Sequence, residues 1–176
     1  MKQEFEGFDF TNFWDDNYYA RKEYISDAPT DELIADVEKE LGYKLPASYI
    51  WLMKRRNGGF LKRTDFLLGY ELPVVGDRTM MRQLYQINMD NSFCAINGQY
   101  GTKFLVEDWG YPDIGVAIGV GFFGEHEIFF LDYRECGPQG EPKVSHVDQE
   151  CDYRITVLAE NFESFIRGLV PDPDGF

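Results

Sequence analysis

Two histidines and several carboxylates fall close together in this chain: His126, Asp132, His146, Asp148 and Glu150, with Asp113 shortly before them. A carboxylate beside an imidazole can bind zinc or tune a general base. In the alternating run Val144-Ser145-His146-Val147-Asp148, His146 and Asp148 share one face of a strand, which makes them the candidate pair for a metal-dependent hydrolase. His126 and Asp132 end a different apolar strand and lie about 20 Å apart by the rise per residue, so they cannot share an ion. Neither H-x-x-x-H nor H-E-x-x-H spacing occurs. The histidines are therefore read first as hydrogen-bonded, part-buried side chains, with no metal and no cofactor expected.

The other chemical motifs fail on context. Gly98-Gln99-Tyr100-Gly101-Thr102-Lys103 precedes a helix as an anion-binding loop would, but it lacks the Walker spacing and the Lys-Ser/Thr order. Gly119-Val120-Gly121-Phe122-Phe123-Gly124 spells G-x-G-x-x-G, yet a strand follows it where a dinucleotide site needs a helix, so it reads as a hairpin turn. Cys94, Cys136 and Cys151 have no C-x-x-C spacing and are odd in number, which argues against zinc and a disulfide framework. Acidic neighbours around Cys151 would raise its thiol pKa, the wrong direction for a nucleophile. No Ser, Cys or Lys has an evident base partner, and no enzymatic activity is expected.

Composition narrows the partner. Acids number 31 against 17 bases, a formal charge of −14, and such a field repels nucleic acid and anionic lipid while attracting basic proteins; the competing reading is that the acidity only keeps the protein in solution. Arg55, Arg56, Lys62 and Arg63 form the one basic cluster, and Gly58 and Gly59 interrupt it. There is no apolar run near the ~20 residues of a membrane span, and Met1-Lys2-Gln3-Glu4-Phe5-Glu6 lacks a signal peptide's apolar stretch. A cytoplasmic location is the expectation. The hydrophobic share of 44% excludes a disordered chain, and 176 residues fit one domain, with 1–29 as an aromatic and acidic N-terminal extension.

The elements that must position these residues follow from periodicity and caps. A short helix is expected around Phe13 to Ala20, capped by Thr11 or Asn12. Thr30, with Asp31 and Glu32 behind it, starts a helix carrying Leu33, Ile34, Val37 and Leu41 that Gly42 ends. Pro46 opens a second helix through Tyr49, Ile50, Leu52 and Met53, stopped by Asn57-Gly58-Gly59. Phe66-Leu67-Leu68 and Leu72-Pro73-Val74-Val75 read as strand, with Pro73 arguing for an edge. Residues 77–97 are ambiguous, helical around Met80 to Tyr85 and an Asn-rich loop afterwards. Thr102 caps a short helix with Phe104, Leu105 and Trp109, closed by Gly110.

Next, Ile114 to Val120 alternates bulky residues with Gly or Ala, the pattern of a strand with one face in the core and a close approach on the other. Gly121 to Gly124 turns it, Ile128-Phe129-Phe130-Leu131 forms a central strand, and Val144 to Asp148 completes a three-strand meander. Leu158, Phe162, Phe165, Ile166 and Leu169 make one stripe of a closing helix that docks on the sheet, and the tail from Pro171 to Gly175 is expected to fray.

Asp31 to Gly59, with Glu38, Leu41-Gly42-Tyr43, Leu45-Pro46, Tyr49 and Asn57-Gly58-Gly59, resembles the opening motif of the SUKH superfamily, the Smi/Knr-type proteins. Gly124 to Asp132 and Phe162 to Leu169 resemble its later signatures. The resemblance implies an α+β fold, a mixed but mainly antiparallel sheet with helices packed on it. It further implies a non-catalytic interaction protein: bacterial members act as immunity proteins against polymorphic toxins, often nucleases, and fungal members as regulatory interaction proteins without a toxin. An acidic surface suits a basic toxin cleft. Aromatic anchors and acids bordering the meander are the expected partner surface: Asp108, Trp109, Tyr111 and Asp113 on one side, Glu125 and Glu127 at the turn, Asp148, Glu150 and Asp152 beyond; Trp109 and Tyr111 have core packing as the competing reading, since an aromatic at a helix C-terminus before Gly usually packs inward.

Overall fold

The computed structural model describes residues 3–90 and 93–175. The first two residues of the N-terminal segment, and Asn91 of the expected Asn-rich loop, lie outside them. In chain order the helices are α1 (Tyr18–Glu23), α2 (Asp31–Leu41), α3 (Ala47–Arg55), α4 (Thr102–Glu107) and α5 (Phe162–Gly168). The strands are β1 (Gly59–Phe60), β2 (Arg63–Leu72), β3 (Gly76–Leu84), β4 (Gly115–Gly121), β5 (Gly124–Asp132), β6 (Lys143–Asp148), β7 (Arg154–Ala159) and β8 (Leu169–Pro171). They form an eight-stranded sheet in the order β7-β6-β5-β4-β3-β2-β8, with β1 beside β3 and every strand pairing antiparallel. This is the α+β architecture expected.

The helical hairpin forms where its caps place it. Thr30 Oγ1 accepts the Leu33 N–H at 3.1 Å, and Gly42 closes α2 in the left-handed region at φ 81°. Pro46 precedes α3, whose Tyr49, Leu52 and Met53 are buried. The meander β4-β5-β6 is also as expected. Its alternation breaks between Ala117 and Gly119, where the register with β5 shifts, and Gly119 lets β3 approach closely: a Cβ there would stand 2.2 Å from the Gln83 carbonyl oxygen and 2.5 Å from Met81 Cε.

Several local expectations are corrected by tertiary pairing. The Met80 to Tyr85 segment is strand rather than helix, because β3 finds partners in β2, β1 and β4. Pro73, Val74 and Val75 form the β2–β3 turn instead of a strand, and β2 is no edge, since it pairs with both β3 and β8. The first helix starts at Tyr18; Phe13 is fully buried and Trp14 bridges to Leu61. Gly101, not Thr102, is the N-cap of α4, which ends before Trp109. The Thr102 hydroxyl instead donates to Ile96 O at 2.8 Å and accepts from Ala117 N at 3.0 Å. The closing stripe is split: Leu158 lies on β7 and Leu169 on β8, with only Phe162 to Gly168 helical, and Leu169–Pro171 is paired to β2 rather than frayed.

One face of the sheet packs on α5, whose Phe165 stacks on Phe66 at 5.3 Å and meets Phe129 at 5.9 Å, and α5 leans in turn on α3. Residues of the N-terminal segment join this core. Phe5 meets Trp51 at 5.1 Å and donates its N–H to Glu163 Oε1, while Arg55 lies over Trp51 and Arg63 over Phe8 and Phe13. Most of the basic cluster is thus spent covering aromatic rings and pairing Arg56 with Asp16.

Candidate partner-binding site

Three turns meet at one end of the sheet. The β2–β3 turn holds Val74 at φ 75°, a conformation costly for a β-branched residue, and leaves its side chain 89% exposed. Gly121 pairs with Gly124 across the two-residue turn Phe122-Phe123, and Phe123 is 70% exposed. After β6, Asp148 Oδ1 accepts the Glu150 N–H at 3.0 Å and so starts the 3-10 turn Gln149–Cys151. Between these turns lies a cleft of about 360 Å³. Val74, Val75, Met80 and Phe123 supply its apolar walls, and Thr79, Glu127, Asp148 and Glu150 its polar lining, with Arg78 and His126 at the margin.

The charges of the cleft are unevenly satisfied. Arg78 is held by Asp65 at 3.1 Å and by Asp77 at 2.9 Å, and that guanidinium keeps Asp77 below its ordinary range. His126 Nδ1 lies 3.0 Å from Glu150 Oε1. Glu127 stands opposite Asp148 in the β5–β6 register. Its Oε1 lies 3.3 Å from His146 Nε2, and its Oε2 is buried with no hydrogen-bond partner. Gly121 makes the room for that carboxylate, since a Cβ there would stand 2.4 Å from Glu127 Oε2. Thr79, 2% exposed, likewise has a buried Oγ1 without a partner.

The expected partner residues do not form one patch. Glu127, Asp148 and Glu150 gather at the cleft, Glu125 lines a separate pocket with Tyr85 and Cys94, and Asp152 follows in the left-handed region at φ 54°. Tyr111 is 2% exposed and cannot anchor a partner; its hydroxyl donates to Glu125 O, and burial, then Tyr153, raise its pKa. Asp108 and Trp109 follow α4, where Tyr153 donates to Trp109 O at 2.5 Å. Asp113 belongs to the other end of β4, beside Tyr43 and Arg134, a seven-residue strand or about 20 Å away.

His146 and Asp148 do share a face of β6, but His146 is buried against Phe129, and among the described residues no three His, Cys, Asp or Glu side chains stand together as a ligand set. The Cys151 thiol pKa is pushed up by its hydrogen bond to Asp148, then by burial; burial chiefly raises that of Cys136. No described helix is long and apolar enough to cross a membrane.

The sequence reading missed Val74, Thr79 and Phe123 as a group. Pro73 three residues before Gly76, followed by the mixed run Asp77-Arg78-Thr79-Met80, was the available signal for a turn and strand there. No curated protein matches the chain. Residues 31–166 do match the SUKH_6 family, described as SMI1-KNR4 cell-wall, a span running from the first residue of α2 into α5 and so containing the helical hairpin, the meander and the cleft. Matched over most of its length, this chain belongs to the SMI1-KNR4 family of the SUKH superfamily.

Proposed function

We propose that this chain is a non-catalytic binding protein that acts as an immunity protein, occupying the basic active-site surface of a polymorphic toxin, a nuclease among the candidates. SMI1-KNR4 domains are in general non-catalytic, and the family is associated with immunity proteins. The observation that carries the reading is the hairpin end of the sheet, where Glu127, Asp148 and Glu150 line a cleft together with exposed Phe123 and Val74. Apolar anchors inside an acidic rim are what a basic, partly aromatic surface is complementary to, and the −14 charge speeds encounter at low salt. Co-expression with a toxin domain encoded beside this gene tests it. Cells are expected to survive only when the folded protein is present. Continued killing in the presence of soluble protein overturns the reading.

A further inference from the structure

We infer that the cleft between the two hairpins is a receptor for one basic side chain, arginine or lysine, inserted by the partner protein. This rests on the binding reading above and names its central contact. Thr79 and Glu127 carry the argument. A buried hydroxyl and a buried carboxylate oxygen without partners are costly in a folded protein, and the two residues that carry them line the same cleft. Other such atoms occur among the described residues, Ser48 Oγ, Gln83 Nε2 and the Arg56 nitrogens among them, but only Thr79 and Glu127 belong to this cleft.

The chemistry of the lining selects the occupant. Glu127, Asp148 and Glu150 bring negative charge to the cleft, and the guanidinium of Arg78 is already engaged by Asp65 and Asp77. An anion is therefore repelled and a cation attracted. Val74, Val75 and Phe123 offer apolar walls for a long aliphatic stem, which lysine and arginine possess and a metal ion does not. A guanidinium reaching Glu127 Oε2 would donate there, and another of its N–H groups would be accepted by Thr79 Oγ1. Both oxygens then gain the partner they lack within the chain.

The test titrates the whole protein, ¹⁵N-labelled, with N-acetyl-arginine amide and with its neutral isostere N-acetyl-citrulline amide. Arginine amide is expected to shift backbone signals of residues 74–80, 123–127 and 148–150, and citrulline amide to bind at least about tenfold more weakly. T79V, which removes an unpartnered hydroxyl at constant shape, is expected to keep the fold and weaken arginine binding severalfold; E127Q, which retains an acceptor for His146, should weaken it about tenfold. A merely structural Thr79 would leave binding unchanged. Equal binding of the two amides, shifts spread over the acidic surface, or unaltered binding by folded T79V and E127Q overturns the inference. If arginine binds as described but cells are not protected, the toxin reading fails and the cleft stands. If T79V and E127Q protect fully and arginine does not bind, the cleft fails and the toxin reading stands.

Discussion

Strand β5 carries a buried carboxylate near each end, and the fold treats them oppositely. At the far end, Asp132 is saturated: its oxygens accept from Arg134 N, Nε and Nη2 at 3.1, 2.9 and 2.7 Å and from Ser145 Oγ at 2.7 Å. Around it Lys143 pairs with Glu135, and Tyr133 donates to Lys44 O at 2.6 Å, tying the helical hairpin to the sheet. At the hairpin end, five residues away, Glu127 has one oxygen near His146 and the other unpartnered, in a side chain only 13% exposed. Burial of a carboxylate is tolerated when compensated within the chain. Where it is not, the compensation is assigned here to a partner. On the proposal made above, one end of the strand serves structure and the other recognition.

Substitutions can break this contrast. The largest effect is expected from G115A at the far end, where φ is 153° and a Cβ would stand 1.9 Å from the Leu131 carbonyl oxygen. Backbone cannot yield as a side-chain tip can, so urea unfolding should show a loss of about 3 kcal/mol or more. D132N comes next, at about 1–3 kcal/mol, because it removes the charge that Arg134 pairs with and leaves one acceptor oxygen for donors that now share two. Burial alone would raise the Asp132 pKa, but Arg134 and Ser145 outweigh it and hold it below the ordinary value. A depressed carboxylate adds stability above its unfolded pKa and loses it as pH falls through the folded one. The D132N unfolding curve should therefore show a shallower loss of stability towards acid than wild type.

At the hairpin end the expected effects are smaller and shift from stability to binding. G121A meets the tip of Glu127 and the Met80 carbonyl at 3.0 Å, so it should cost about 1–2 kcal/mol while displacing the carboxylate and lowering affinity for arginine amide. V74G relieves a β-branched residue from the left-handed region but adds chain entropy to the unfolded state, a net gain of about 0.5 kcal/mol. Its thermal midpoint should rise slightly. A fall would mean that the Val74 side chain contributes to packing despite its exposure.

Legibility in the sequence followed how local each cause is. The Thr30 cap, the Gly42 terminus, the Pro46 start and the Gly121–Gly124 turn act through neighbours in the chain, and all could be read. β3 could not, because Met80 and Met81 favour a helix locally and become strand only through partners 13 or more residues away. The closing stripe misled for a related reason, since Leu158 and Leu169 fit helical spacing by position while belonging to strands on either side of α5. At the site, the acids flanking the meander were legible as turn-adjacent charges. Thr79 was not, because a missing hydrogen-bond partner is a property of the folded surroundings and has no signature in the chain. For Tyr111 the chain offers both an interface anchor and a core aromatic, and the sheet buries it, tying the residues after α4 to the start of β5.

The most direct test of the division between the two ends is the association rate at low salt with the toxin domain proposed as partner, for E150K at the hairpin end and E135K at the far end. Both acids are exposed, so neither reversal should disturb the fold. The account predicts that E150K slows association about tenfold or more while E135K stays near wild type. Equal slowing by both variants would show that total charge alone drives binding, and would contradict a recognition site at the hairpin end.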